Sequence, residues 1–248
     1  MFAGLAAGTI NGAAGGGTLA SFPALLAVGL PALRANMTST VGIWPGYLGG
    51  VAGFRREVNA QRRRSLLLSP AAVLGAVVGS VLLFVTPSKD FSAIVPYLVL
   101  AATALFAAQP LVARRVRARA AAAGPGVDRP GWRAPAAQAG TFVGSIYGGY
   151  FGAGLGVVFL GLLGLVLPDE LVRTNGLRAL LSLVVNTAAA LVFIAHGDIA
   201  WADAGLLAVT SLLGGYLGAH VARKLPPVVF RAIVLALGLT TALKLLAG

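Results

Sequence analysis

Apolar residues run along this chain in eight long stretches, roughly 1–33, 35–54, 65–86, 91–112, 136–168, 174–195, 202–222 and 228–247. Six of them are about 20 residues long, the length of helix that crosses a ~30 Å hydrocarbon core. The first and fifth are about 33 residues, and as single helices each would reach about 50 Å, too long for one crossing. Both carry a glycine cluster near the middle, "NGAAGGG" at 11–17 and "YGGYFGAGLG" at 147–156. The pattern predicts two half-length helices joined by a turn in each stretch, a re-entrant hairpin that leaves on the side it entered. A long, tilted, kinked helix is the alternative, since glycine is common in membrane helices.

Composition agrees with a chain built for lipid. It is 58% hydrophobic and 10% charged, with mean hydropathy +0.88, where a soluble domain carries about a quarter charged residues. The net charge of +12 does not point to nucleic acid, because the arginines sit between the apolar runs as cytoplasmic loop charges do. The opening "MFAGLAAG" lacks the basic start of a signal peptide. With no cysteine, no disulfide or thiolate metal site is expected. These features predict an all-α polytopic integral membrane protein.

The halves resemble each other. Gly8-Thr9-Ile10-Asn11-Gly12 parallels Gly144-Ser145-Ile146-Tyr147-Gly148. Beyond "PDELV" a constant offset of 139 pairs Arg34 with Arg173, Asn36 with Asn175, Phe54 with Phe193, Gly75 with Gly214, Gly79 with Gly218, Pro87 with Pro226 and Phe91 with Phe230. A duplication divides the chain into a first repeat at 1–112, a basic linker at 113–135 and a second repeat at 136–248. If each repeat is one hairpin plus three spans, the odd number of crossings inverts the second. All nineteen basic residues except Arg34, Lys89 and Lys244 then fall on or near the cytoplasmic side. Eight full spans in parallel repeats, the alternative, would also move Arg173, Arg178, Arg223, Lys224 and Arg231 outside. The positive-inside bias favours inversion. The linker reads as a cytoplasmic connection, its first part a helical extension ended by Gly124-Pro125.

Inverted repeats interrupted at matching places are a transporter design in which the broken ends build a site near the midplane. A new helix N-terminus presents N–H groups and a favourable dipole to an anion, and glycine lets the backbone come close. The candidate site therefore takes Asn11, Gly15, Gly16, Gly17 and Thr18 from the first break. Tyr147, Gly152, Gly154 and Gly156 come from the second. Asn36, Thr38, Ser39, Asn175 and Arg178 would close it. Arg178 lies inside the apolar run "TNGLRALLSLVV" and replaces Ser39 under the offset. A buried arginine costs ~2.5–3.5 kcal/mol or more at a helix centre, so one there serves a cavity or snorkels to the interface. Its planar fork suits an oxyanion.

The opening "GTINGAAGGGTLASFPALLAVGLPALRANMTSTVG" resembles the sulfite exporter TauE/SafE family, as do "GSIYGGYFGAGLGVVFLGLLGLVLPDELVRTNG" and "GLLAVTSLLGGYLGAHVARKLPPVVFRAIVLALGL". The second half departs at "FGAGLG", where three consecutive glycines are lost, so the half-sites are expected to be unequal. The resemblance implies secondary transport of sulfite, thiosulfate or an organosulfonate across the cytoplasmic membrane, with an anion channel or another small anion as alternatives. An enzyme is disfavoured: the two histidines and seven acids form no carboxylate pair or metal spacing inside a span. "HGDIAWAD" at 196–203 reads as a loop, and "GAGLG" lacks the βαβ context of a nucleotide site. No cofactor is expected. The partners this reading allows are a small anion, membrane lipid, a coupling proton or ion (Asp169 and Glu170 lie near the second hairpin) and a second copy of the chain; nucleic acid is not among them.

Overall fold

The computed structural model describes residues 2–13, 15–123, 135–167, 169–221 and 227–247. Among these, every regular element is a helix. Each ~20-residue apolar stretch forms one: α3 (Ala32–Gly53), α5 (Arg62–Val85), α6 (Ser88–Ala123), α9 (Leu171–His196), α10 (Trp201–Val221) and α11 (Pro227–Ala247). A short α4 (Arg55–Ala60), absent from the hydropathy pattern, sits between α3 and α5. Helices α5, α6 and α9 are long and apolar enough to cross a membrane. At 36 residues, α6 runs about 54 Å and outreaches the hydrocarbon core. Its last turns carry Arg114, Arg115, Arg117 and Arg119, the expected helical start of the linker. The rest of that linker, with Gly124, Pro125, Arg129 and Arg133, lies outside the described residues, as do Arg223, Lys224 and Pro226.

Both overlong stretches are broken in two. The first gives α1 (Phe2–Ala13) and α2 (Thr18–Ala27), the second α7 (Pro135–Tyr150) and α8 (Leu155–Val166). With 10 and 12 residues, α2 and α8 reach about 15–18 Å, half of a ~30 Å core. Each pair folds back on itself. Phe2 and Ala3 at the start of α1 line one groove with Ala24 and Ala27 at the end of α2. A methyl group on Gly144 would stand 3.2 Å from the Phe159 ring and 3.0 Å from Leu162. Along one continuous helix those residues would be about 22 and 27 Å away. The hairpin, and not the kinked helix, is the geometry found.

The two turns share a backbone pattern. Gly15 N–H reaches back to the Ile10 carbonyl at 3.0 Å, and Gly152 N–H to the Tyr147 carbonyl at 3.1 Å. Both glycines have φ of +71°, the left-handed conformation that ends a helix in this way and that glycine adopts without a Cβ penalty. Two residues on, Gly17 accepts from Ala20 and Ser21, and Gly154 from Val157 and Val158. The equivalent residues are thus Gly15 with Gly152 and Gly17 with Gly154. This places the sequence match of Gly8–Gly12 with Gly144–Gly148 one residue out: Ile10 corresponds to Tyr147, and Asn11 to Gly148. Hydrogen-bond geometry fixes a register that small apolar residues left degenerate.

The main packing pairs are related by exchange. Helix α1 lies on α10 as α7 lies on α5; α10 lies on α3 as α5 lies on α9; α2 meets α11 as α8 meets α6. Helices α3 and α9 pack on each other, and so do α6 and α11. The tightest crossings are made by glycine. A Cβ on Gly8 would strike the Ser211 carbonyl, one on Gly214 that of Leu5, one on Gly75 that of Phe142 and one on Gly149 that of Ala76. Such backbone-to-backbone approach is how helices associate where burial of apolar surface supplies little force. Outward-facing Leu66, Leu74, Val81, Val143, Leu191, Val209 and Leu213 stay exposed, a surface suited to acyl chains.

Candidate functional site

Asn11, on the last turns of α1, bridges the first break. Its Oδ1 accepts from Gly17 N–H at 2.7 Å, so one side chain ties the end of α1 to the start of α2. Its Nδ2 is buried without a hydrogen-bond partner. Helix α9 brings Arg178 to the same place, 2% exposed. A Cβ on Gly15 would stand 3.8 Å from its Nη1, so the glycine lets the guanidinium approach the backbone of the turn. Asn11, Gly15, Tyr47, Gly50, Arg178, Ala179 and Ser182 line a small cavity there. It has room for the centre of about one water, about 10 Å³. The Ser182 hydroxyl is also buried without a hydrogen-bond partner, and Thr18 lies beside the Tyr47 hydroxyl.

The second break touches the first. Gly156 N–H donates to the Gly15 carbonyl at 3.0 Å, so the two interruptions are joined directly. A Cβ on Gly15 would fall 2.7 Å from the Gly156 Cα, too close for any side chain. The second turn is closed by Tyr147, whose hydroxyl donates to the Ala153 carbonyl, and by Gly152 and Gly154 at positive φ. From α3, Asn36 Nδ2 donates to the Tyr150 carbonyl at 3.0 Å, capping the end of α7. The Asn36 Oδ1 is buried without a hydrogen-bond partner.

The expected residues therefore fall into three groups. Asn11, Gly15 and Arg178 share the cavity, with Gly17, Thr18 and Gly156 against it. Asn36, Tyr147, Gly152 and Gly154 build the second break. Elsewhere, Ser39 hydrogen-bonds Ser21 at 2.6 Å, Gly16 lies under the Phe106 ring, and Asn175 is half-buried on the first turn of α9. Thr38 accepts from Ala200 N–H at 3.1 Å, at the connection between α9 and α10. Tyr47, Gly50 and Ser182 line the cavity without being among the residues expected from the sequence. The repeat offset of 139 pairs Tyr47 with Asn186, both polar residues inside apolar helices, a signal that could have drawn attention to the position.

Four of the glycine N–H groups at the breaks are already used. Those of Gly15, Gly17, Gly152 and Gly156 all have acceptors within the fold. The glycines shape the cradle, and side chains line it with polar groups: a guanidinium, an amide and two hydroxyls. Asp169 is held elsewhere, ion-paired to Arg64 with both side chains largely buried. Gln61 joins this cluster by donating to the Arg173 carbonyl at 2.8 Å. Among the described residues, no three His, Asp or Glu side chains gather as a metal-binding set. The arrangement offers one positive charge and neutral donors in a small buried pocket, the chemistry of anion recognition.

Comparison with known proteins points to membrane transporters. The chain is 25% identical over 245 residues to a protein of Sinorhizobium sp. named probable membrane transporter protein ORF9, covering 97% of this chain and 88% of the relative. It is 27% identical over 222 residues to a probable membrane transporter protein of Haemophilus influenzae, covering 88% and 82%. Against the probable membrane transporter protein YfcA of Escherichia coli K12, identity is 26% over 248 residues, covering 99% and 88%. No solved structure matches. The profile described as Sulfite exporter TauE/SafE matches residues 1–245. The chain belongs to that family of membrane transporters.

Proposed function

We propose that this protein is a secondary transporter that moves a small sulfur-containing anion, sulfite, thiosulfate or an organosulfonate, across the cytoplasmic membrane. The single observation that carries this reading is the meeting of the two breaks at Gly15 and Gly156 with Arg178 beside them. Helix interruptions at membrane depth are tolerated where they line a cavity, and a buried arginine is retained there for a ligand. The repeats, 1–112 and 136–248, are inverted relative to each other. Support comes from the exchange of packing partners and the shared hydrogen bonding of the turns. Sulfur oxyanions and sulfonates, suggested by the family's description, suit the planar donors of the guanidinium.

A continuous anion pore is the weaker reading. The cavity has room for about one water and the breaks are hydrogen-bonded to each other. That favours a closed state of an alternating-access cycle. The test is ligand-dependent thermal stability of purified protein across sulfite, thiosulfate, sulfate and a small sulfonate. A ligand at about 100 times its Kd stabilises by about 2.7 kcal/mol, and one of these anions should raise Tm accordingly. Arg178→Ala should fold and lose the rise. An Arg178→Ala protein with wild-type response would remove this residue from the site.

A further inference from the structure

Two connections that bridge the repeats make the same contact at opposite ends of the molecule. At one end the α9–α10 connection lies on the first turns of α3. Asp198 pairs with Arg34 at 3.3 Å, and Ala200 N–H donates to the Thr38 hydroxyl at 3.1 Å. A Cβ on Gly197 would meet the Met37 sulfur at 2.9 Å. At the other end the connection between α3 and α5 lies on the first turns of α9. Gln61 donates to the Arg173 carbonyl at 2.8 Å, and a Cβ on Gly176 would meet the Glu57 Cβ at 2.7 Å. Arg64, at the start of α5, pairs with Asp169, just before α9. The offset of 139 carries Arg34 to Arg173, Met37 to Gly176, Val58 to Gly197 and Gln61 to Ala200. Each contact is therefore the other with the repeats exchanged.

We infer that these two contacts are the gates of the carrier, the one at Arg34–Asp198 closing the cavity from outside and the one at Gln61, Arg64 and Asp169 closing it from the cytoplasm. This rests on the transport reading above and names the parts that control access to the same cavity. Helices α3 and α9 both line that cavity, with Tyr47 and Gly50 from one and Arg178, Ala179 and Ser182 from the other. Arg178 lies about 7–8 Å along α9 from Arg173, and Tyr47 about 13–14 Å along α3 from Thr38. The cavity thus sits between the two contacts, and each joins a residue of one repeat to a residue of the other. Repeats that part at one end must break the contact there while the other holds. Arg55, Arg56, Arg62 and Arg63 gather at the Gln61 end, which the positive-inside bias assigns to the cytoplasm. The two contacts differ in burial. The Arg34 and Asp198 side chains are 39% and 72% exposed, those of Arg64 and Asp169 only 5% and 12%. Losing one charge of a buried pair loosens a contact far more than losing one of an exposed pair.

The chain has no cysteine, so Ala179→Cys places a single thiol on the cavity wall. Its reaction with a membrane-impermeant anionic methanethiosulfonate reagent is followed in right-side-out and inside-out membrane vesicles holding the full-length protein. Adding Asp198→Asn should raise the rate roughly two- to fivefold from the outside only. Adding Asp169→Asn should raise it about tenfold or more from the cytoplasmic side only. Gln61→Leu, which removes the bond to Arg173 and leaves the ion pair in place, should act from the same side and covers the case in which Asp169→Asn does not fold. Rates unchanged by all three substitutions, or raised from any other side, would overturn the inference while leaving a carrier in place. Equally fast reaction from both sides with both contacts intact would mean an open pore, and would remove the carrier reading and the gates together.

Discussion

At the scale of single residues, Asn11 does two things with one amide. Its oxygen holds Gly17 N–H across the break, and its nitrogen lies without a hydrogen-bond partner beside a cavity that also holds Arg178. The two roles separate by substitution. Asn11→Asp keeps an acceptor for Gly17 but brings negative charge next to the anion, so it should melt near wild type and bind sulfur anions at least about tenfold more weakly. Asn11→Ala leaves Gly17 N–H without its acceptor and should cost about 1–3 kcal/mol of stability as well. Melting and binding curves on both variants check this; an Asp variant that binds as wild type would place the nitrogen outside the site. The sequence pointed to Asn11 and Arg178 as polar residues inside apolar stretches, and to Gly15 through the glycine cluster of an overlong stretch. Tyr47 was harder to see, since tyrosine is ordinary in membrane helices and its role depends on which way α3 turns.

At the scale of elements, the hydropathy pattern located the helices because lipid imposes a length of about 20 apolar residues on a crossing. It located both breaks because a glycine cluster in an overlong stretch has a mechanical meaning. It did not say which helices touch. Helices that are apolar on all sides have no polar face to orient them, so the partners of α10 and α5 emerged only with the three-dimensional structure. Glycine contacts decide those partners, and they are selective. Gly149→Ala puts a methyl into the Ala76 backbone and should destabilise by about 1–3 kcal/mol through overpacking. Gly205, inside α10, has open space where a methyl would go, with nothing within 4 Å, and Gly205→Ala should stabilise by about 0.5–1 kcal/mol. Melting temperatures in one detergent test the pair; equal shifts would contradict packing by close backbone approach.

At the scale of the whole molecule, the sequence pointed to two repeats through a few Arg, Asn, Phe and Pro matches, and the packing is organised around an exchange between the same halves. The halves are not equivalent in chemistry. Arg178 stands in one and Ser39 in the other, and the two breaks meet through a single hydrogen bond between Gly156 and Gly15. Among the residues lining the cavity, the charged one comes from the second repeat alone. That arrangement suits a carrier that takes one anion at a time. Ion pairs mark the periphery: Arg34 with Asp198 at 3.3 Å and the buried Arg64 with Asp169. The central claim is that transport runs through the cavity at Arg178. The measurement that tests it most directly is the flux of labelled sulfite and methanesulfonate into proteoliposomes carrying wild-type or Arg178→Ala protein at equal density. The account predicts saturable flux of at least one of these anions with the wild type and a loss of about tenfold or more with Arg178→Ala. Equal flux through both proteins would contradict it.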